Sequence, residues 1–337
     1  MLLSEIIKTS DVEPPAQDIE ITDLSLDSRQ VKSGCLFFAV KGAKSDGHGF
    51  IETAVKNGAV AVAGTENMES GPVPYLKTEN IYSLMAVCAR NFYGDPSAGL
   101  SVTGITGTNG KTTTSYFLES IFNAADYKPA VIGTINYRIN GSVVSKALNT
   151  TPEILEMSRI MARALRGKSR AAVMEVSSHA LFFGRTEGVQ FDSAVFLNLT
   201  QDHLDHHKTM DAYFAEKRKL FKALGVSPKK NKTAVLNADS PYSGIIADEL
   251  DRSVRTVWFG LDNAKGFYAR SIRQSLSGAE FDAVSPDGAA WPVRLKLWGK
   301  HNVSNALAAF ACAVSSGVEP ETGARGLSEL QAVPGSP

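Results

Sequence analysis

Apolar residues along the chain fall into short unbroken runs, separated by segments with helical spacing or turn residues. LFFAV (36–40) and AVAVA (59–63) have the length of strands. FIETAVKNG between them reads as a helix that ends at Gly58, a residue suited to a helix C-cap. A second helical stretch over 80–93 runs into YGDPS, where Gly94 and Pro96 punctuate the chain before the apolar SVTGIT of 101–106. This break predicts a domain boundary near residue 98, dividing the chain into 1–98 and 99–337. Beyond it come AAVMEV (171–176), SAVFLNL (193–199), TAVLNAD (233–239) and RTVWFG (255–260). Runs without polar alternation predict strands buried on both faces, as in a parallel sheet flanked by helices. The stretch 266–297 differs: AWPVRLKLW alternates and SPDG signals a turn, which predicts an antiparallel flap. The pattern as a whole is that of an α/β protein with a small amino-terminal domain and a larger one built on a mostly parallel sheet.

Composition narrows the class. A length of 337 residues suits two domains, and 43% hydrophobic with 21% charged residues excludes a disordered or fibrous chain. Lys plus Arg and Asp plus Glu number 35 each, so no global field draws the chain to nucleic acid or an anionic membrane. Cys35, Cys88 and Cys312 lie far apart without CxxC spacing, which indicates neither a disulfide framework nor a zinc ribbon. MLLSEIIK carries Glu5 after two leucines and is not a signal peptide, and no apolar run reaches membrane-spanning length. The expectation is a soluble, cytoplasmic protein, monomeric and acting on small molecules.

The strongest chemical signal is GTNGKTTT (107–114), placed after the strand-like SVTGIT and before a helix with Phe117, Leu118, Ile121, Phe122 and Ala125 on one face. Strand, glycine loop and helix follow in the order a phosphate cradle requires. Gly107 and Gly110 let the amides of Thr108, Asn109 and Thr113 turn toward an anion, the helix start adds its dipole, Lys111 reaches the terminal phosphates and Thr112 offers a hydroxyl to magnesium. Ile105 occupies the place of the first glycine of the longer consensus, so the loop is a shortened variant. The bland alternative is a glycine-rich turn that binds nothing.

Other residues are ambiguous by pattern. Glu175 closes AAVMEV at the carboxyl end of a buried strand, where it is either a magnesium ligand beside Thr112 or a salt-bridged strand-end glutamate. In DHLDHH (202–207), His203 and His207 would share a helix face as zinc ligands, or the cluster is a solvated loop and cap. Lys217 lies beside Arg218 and Lys219, by default a solvated helix face. Asn302 and Asn305 open the helix-like NVSNALAAFACAVSSG, where capping is their plain role.

TGTNGKTT is similar to the ATP loop of the Mur ligases, the amide-forming enzymes of peptidoglycan precursor synthesis. SLDSRQVKSGCLFFAVKGAKSDGHGFI (25–51) resembles their UDP-binding signature. NTTPE (149–153), EVSSHAL (175–181), NLTQDHLDHH (198–207), YFAEKRKLF (213–221) and GKHNVSNALAA (299–309) resemble central-domain motifs, in order. EVSSHAL with NTTP points to the branch that adds the third amino acid. The resemblance implies an ATP-dependent ligase that joins a diamino acid, meso-diaminopimelate or L-lysine, to UDP-MurNAc-L-Ala-D-Glu through an acyl phosphate, with two magnesium ions. It makes Lys111, Glu175, His203 and a carbamylated Lys217 catalytic, with Thr112, Glu175, His203 and Lys217 around metal and Asn302 against the adenine. It assigns Leu26, Ser28, Ala43, Lys44 and Ser45 to the uridine diphosphate, and Asn149, Thr150, Thr151, Ser177 and Arg185 to the muramoyl peptide. Phe183 departs from the glutamine many relatives carry. The resemblance also implies a third, carboxy-terminal domain that chooses the amino acid and would begin where VPGSP ends, with Ser336 in the place of an arginine. The competing readings are a non-catalytic nucleotide- or UDP-sugar-binding module and the sister ligase that adds the D-alanyl dipeptide.

Overall fold

A computed structural model describes residues 1–42, 45–68, 71–201 and 208–334, in two compact units. The first comprises Met1–Pro96 with Glu153–Ala162 and Gly184–Gly188; the second holds the remainder. The two later segments of the first unit lie beyond residue 98, so its makeup is not contiguous in sequence.

In the first unit, α1 (Leu3–Ile6) precedes β1 (Asp23–Ser25), β2 (Cys35–Ala39), α2 (Ile51–Lys56), β3 (Ala59–Gly64), β4 (Tyr75–Lys77) and α3 (Ile81–Tyr93). The four strands pair in parallel in the order β1-β2-β3-β4. Strand β2 shows why its sequence has no polar alternation. Leu36 and Phe38 enter a core with Leu3, Ile6, Leu84 and Met85, while Cys35, Phe37 and Ala39 enter a second one with Val31 and Ala54. Both faces are covered, as the run of apolar residues requires. Helix α3 starts at Asn80, whose side chain accepts the amides of Tyr82 and Ser83, and stops at Gly94 in the left-handed region.

The second unit is built on one eleven-stranded sheet. In chain order its elements are β5 (Ser101–Thr106), α4 (Lys111–Ala124), β6 (Ala130–Ile132), β7 (Asn136–Ile139), β8 (Ser142–Lys146), β9 (Ala171–Glu175), α6 (Ser178–Phe182), β10 (Ser193–Phe196), α7 (Met210–Val226), β11 (Lys232–Asn237), α8 (Tyr242–Glu249) and β12 (Val254–Gly260). Helix α5 (Ile154–Arg166) begins in the segment assigned to the first unit. Then follow β13 (Phe267–Ser275), β14 (Gly278–Val284), β15 (Ala290–Leu295), α9 (Lys300–Ser315) and α10 (Pro320–Glu329). The middle strands β12-β11-β10-β5-β9-β6 are parallel, and antiparallel strands extend both ends. The antiparallel stretch expected over 266–297 exists, but β13 pairs with β12 in parallel, so it continues the main sheet instead of forming a separate flap. The hairpin β7–β8 extends the opposite end. Buried faces of α4 (Phe117, Leu118, Ile121, Phe122) and α9 (Val303, Ala306, Leu307, Phe310) pack into one core with Val131, Val173, Val195 and Val235 from the strands.

The connection from β5 runs to β6, beyond β9, whereas the connection from the adjacent β9 runs to β10 on the other side of β5, so the chain leaves these two neighbouring strands in opposite directions across the sheet. The carboxyl end of such a pair is a topological switch point, the usual place for a ligand in an open α/β sheet. Three candidate segments end there: Gly107 after β5, Glu175 at the end of β9 and Asn198 after β10.

Candidate active site

The loop Gly107–Gly110 turns into α4 with Gly110 as N-cap at φ +88°. That conformation disfavours a side chain, and a Cβ there would lie 2.3 Å from Asn305 Oδ1. Asn305 of α9 therefore sits over the loop and is buried; it does not cap α9, whose N-cap is Gly299 without a side-chain bond. Asn302, also buried, donates its amide to the Trp298 carbonyl at 2.8 Å. The loop is held from the other side by reciprocal bonds. The Asn109 amide donates to Asn198 Oδ1 at 3.0 Å and Asn198 Nδ2 returns a bond to the Asn109 carbonyl at 3.1 Å. Thr108 Oγ1 accepts the Thr200 amide at 3.0 Å and donates to the Thr200 carbonyl at 3.2 Å.

Two ammonium groups converge on this loop. Lys111 Nζ donates to the carbonyls of Gly107 and Thr108 at 2.8 and 2.9 Å. Lys217 Nζ, on α7, donates to the same Gly107 carbonyl at 2.9 Å and lies 4.4 Å from the Tyr213 ring centroid. Lys217 is only 1% exposed, so the solvated-face reading is wrong for it. Its stripe explains this: Phe214, Leu220 and Phe221, three and four residues away, are buried on the same helix face.

Glu175, 1% exposed, faces the loop from β9. Its Oε2 accepts the hydroxyls of Thr112 and Thr134, both at 2.9 Å, and its Oε1 accepts the Thr134 amide at 3.0 Å. Gly133 makes room for it, since a Cβ there would be 2.2 Å from Oε1. Among the described residues no cation forms an ion pair with Glu175, which removes the strand-end salt bridge. A buried carboxylate beside the Thr112 hydroxyl is an all-oxygen donor set that fits magnesium, which takes one or two carboxylates together with phosphates. Among the described residues no three His, Cys, Asp or Glu side chains gather as a metal cluster. His203, with Asp202, Asp205, His206 and His207, lies outside the described residues, as do Ala43, Lys44 and Ser336.

Residues 149–151 join the Glu175 edge. Thr150 Oγ1 lies 3.1 Å from Thr134 Oγ1, whose single proton goes to Glu175, so the Thr150 hydroxyl donates to Thr134; buried Thr151 donates to the Glu175 carbonyl at 2.8 Å and accepts the Ser177 amide at 3.1 Å. Ser177 caps α6, and the Asn149 carbonyl accepts from Tyr137 Oη at 2.8 Å. In the first unit, Ser28 is buried at the start of a single 3-10 turn whose cap is Asp27, and Leu26 packs against the α3 core. The Arg29 guanidinium beside Asp27 holds that carboxyl below the usual range. The Ser45 carbonyl accepts the Gly42 amide at 3.0 Å. Arg185 pairs with Glu153 at 2.8 Å, and desolvation pushes the Glu153 carboxyl up. Phe183 packs edge-on against Phe182. The three cysteines are free and buried, with burial raising the Cys35 and Cys88 thiols to about 12 and Cys312 to about 11.

Thr134, Gly133, Asn198 and Thr200 were not singled out by sequence. The signal for Thr134 is weak but real: a hydroxyl two residues beyond the apolar β6, on the edge where Glu175 also ends. The Mur ligase middle domain matches residues 105–313, which include every residue of this loop-and-carboxylate arrangement. The chain belongs to the Mur ligase family. The family's segment described as its catalytic domain matches residues 20–93. The chain is 42% identical to a UDP-N-acetylmuramoyl-L-alanyl-D-glutamate–2,6-diaminopimelate ligase of Solibacter usitatus, over 99% of this chain and 67% of the relative. It is 41% identical to the Bacillus cereus ligase of the same name, over 95% and 65% respectively. A solved structure of a ligase with that name superposes with a TM-score of 0.83 at 28% identity, covering 99% of this chain and 68% of the other. This chain thus spans about two thirds of the length of the Mur ligases it matches.

Proposed function

We propose that the chain carries the nucleotide- and UDP-sugar-binding part of an ATP-dependent ligase that adds 2,6-diaminopimelate to UDP-N-acetylmuramoyl-L-alanyl-D-glutamate in the cytoplasm. The observation that supports it most is the convergence of Lys111, Thr112, Glu175 and Lys217 on one phosphate loop. The similarity to ligases of that name supplies the substrate and the amino acid.

In this reading a carboxylate of the dipeptide's D-glutamyl residue attacks the γ-phosphorus of ATP, the bond to ADP breaks, and an acyl phosphate forms. The amine of the diamino acid then attacks the acyl carbon, phosphate leaves, and the amine proton passes to solvent or base. Two anions must approach each other in the first step, so the dominant demand is charge stabilisation. Lys111 moves from the Gly107 and Thr108 carbonyls to the terminal phosphates; the Thr108 and Asn109 amides are given to Asn198, so the amides at the start of α4 are the ones that hold the nucleotide's phosphates. Thr112 and Glu175 would hold a magnesium ion, and Thr134 fixes the carboxylate's orientation through both of its oxygens. Magnesium, when bound, neutralises phosphate charge. A carbamylated Lys217 and His203 would hold a second magnesium ion, and Asn302 contacts the adenine. Leu26, Ser28, Ala43, Lys44 and Ser45 bind the uridine diphosphate; Asn149, Thr150, Thr151, Ser177 and Arg185 bind the peptide.

Lys111→Ala tests the loop directly. Removing a charge-assisted contact worth about 2–3 kcal/mol weakens magnesium-ATP by roughly 30- to 150-fold in calorimetric titration. Unchanged affinity in the folded variant would sink the assignment of this loop.

A further inference from the structure

Arg138, in the middle of β7, is 6% exposed and spends its fork on helix α4. Its Nε lies 3.0 Å from both Glu119 oxygens and its Nη2 lies 2.6 Å from Oε2. Nη1 donates to Tyr116 Oη at 2.9 Å and to Asn136 Oδ1, and the guanidinium is 4.0 Å from the Tyr116 ring centroid. Tyr116 and Glu119 belong to the same helix whose first two residues are Lys111 and Thr112.

The neighbouring residue grips something else. Tyr137 Oη bonds the Asn149 carbonyl, and Thr134, just ahead of β7, bonds both Glu175 and Thr150. One short strand is therefore tied through Tyr137 to the 149–151 segment and through Arg138 to the phosphate-loop helix. A buried ion pair is a poor way to gain stability, because desolvating both charges costs about what their attraction returns. A bidentate fork does fix distance and angle between two elements, which an apolar contact does not.

We propose that Arg138 is a positioning residue that couples nucleotide binding at the phosphate loop to binding at Asn149–Thr151. When the loop and the start of α4 adjust to phosphate, the rigid Glu119–Arg138–Tyr116 contact carries that adjustment to β7 and thence to the acceptor segment. The identity of the two ligands rests on the function proposed above.

The test is a coupling measurement on the chain by calorimetry. The affinity for UDP-N-acetylmuramoyl-L-alanyl-D-glutamate is measured with and without saturating magnesium and a non-hydrolysable ATP analogue, and the ratio of the two is the coupling factor. The wild-type chain is expected to show a factor of about 5 or more. In Arg138→Met the factor falls to near 1, while each ligand alone binds within about threefold of wild type, a range well below one tenfold step. Glu119→Gln keeps the shape of the contact but removes its charge and its double acceptor, and guards against a variant that fails to fold; its factor falls in the same direction. Arg138→Lys, which keeps the charge without the fork, does not restore the wild-type factor. An unchanged factor in a folded Glu119→Gln or Arg138→Met chain overturns the proposal. So does an equal loss of both single-ligand affinities with a lowered Tm, since that marks a merely structural contact, and so does a wild-type factor of 1. Failure of the wild-type chain to bind either ligand alone overturns the functional reading, and the coupling proposal with it.

Discussion

The middle and the β13–β15 end of the large sheet solve different problems. Strands β5, β9, β10 and β11 are buried along nearly their whole length, and the phosphate loop, Glu175 and Asn198 lie at the carboxyl ends of the first three. The antiparallel strands β13 to β15 are only partly covered: β13 places Phe267 and Ala269 inside and leaves Arg270, Arg273 and Gln274 exposed. Their tip carries Leu276 at 96% exposure and none of the candidate residues. Burial on both faces fixes strand ends rigidly, so side chains placed just beyond them keep their geometry; a half-exposed meander offers no such precision.

The contrast can be sharpened by substitution. Gly110→Ala should have the largest effect. The left-handed backbone alone costs about 1–2 kcal/mol with a Cβ, and the added atom meets Asn305, so Tm drops and nucleotide affinity falls at least tenfold. A wild-type Tm and affinity would contradict the observed loop geometry. Thr134→Val comes next: it deletes one hydroxyl donor to Glu175 while leaving the backbone amide in place. The loss of about 1 kcal/mol of orientation should weaken magnesium-dependent nucleotide binding roughly fivefold and leave magnesium-free binding unaltered. Equal weakening with and without magnesium would show that Thr134 does not act through Glu175. Leu276→Ser should be the smallest, within about 0.5 kcal/mol in chemical denaturation and without effect on nucleotide affinity. A large loss there would mean that the meander is not the passive region described.

What could be read from sequence follows the same division. LFFAV, AVAVA, SVTGIT and AAVMEV are strands because burial on both faces leaves a continuous apolar record, and GTNGKTTT sits where strand, loop and helix must meet. The three-residue strands β1 and β4 leave too little pattern to detect. The β7–β8 hairpin hides because Val143 is 59% exposed and Arg138 is buried, the reverse of what polarity suggests. Lys217 was obscured by its charged neighbours, although its spacing from Phe214, Leu220 and Phe221 placed it on the apolar stripe. Asn305 and Asn198 were invisible as loop clamps, because their partners are backbone and glycine positions nearly 90 residues or more away in sequence. Long-range polar contacts of this kind have no local periodicity to betray them.

Hydrogen exchange of the chain with and without magnesium-ATP tests the account most directly. Added protection is expected at 107–113, at Thr134 and at 149–151, with 267–295 unchanged. Protection confined to the β13–β15 meander, or none at the phosphate loop under saturating nucleotide, would contradict it.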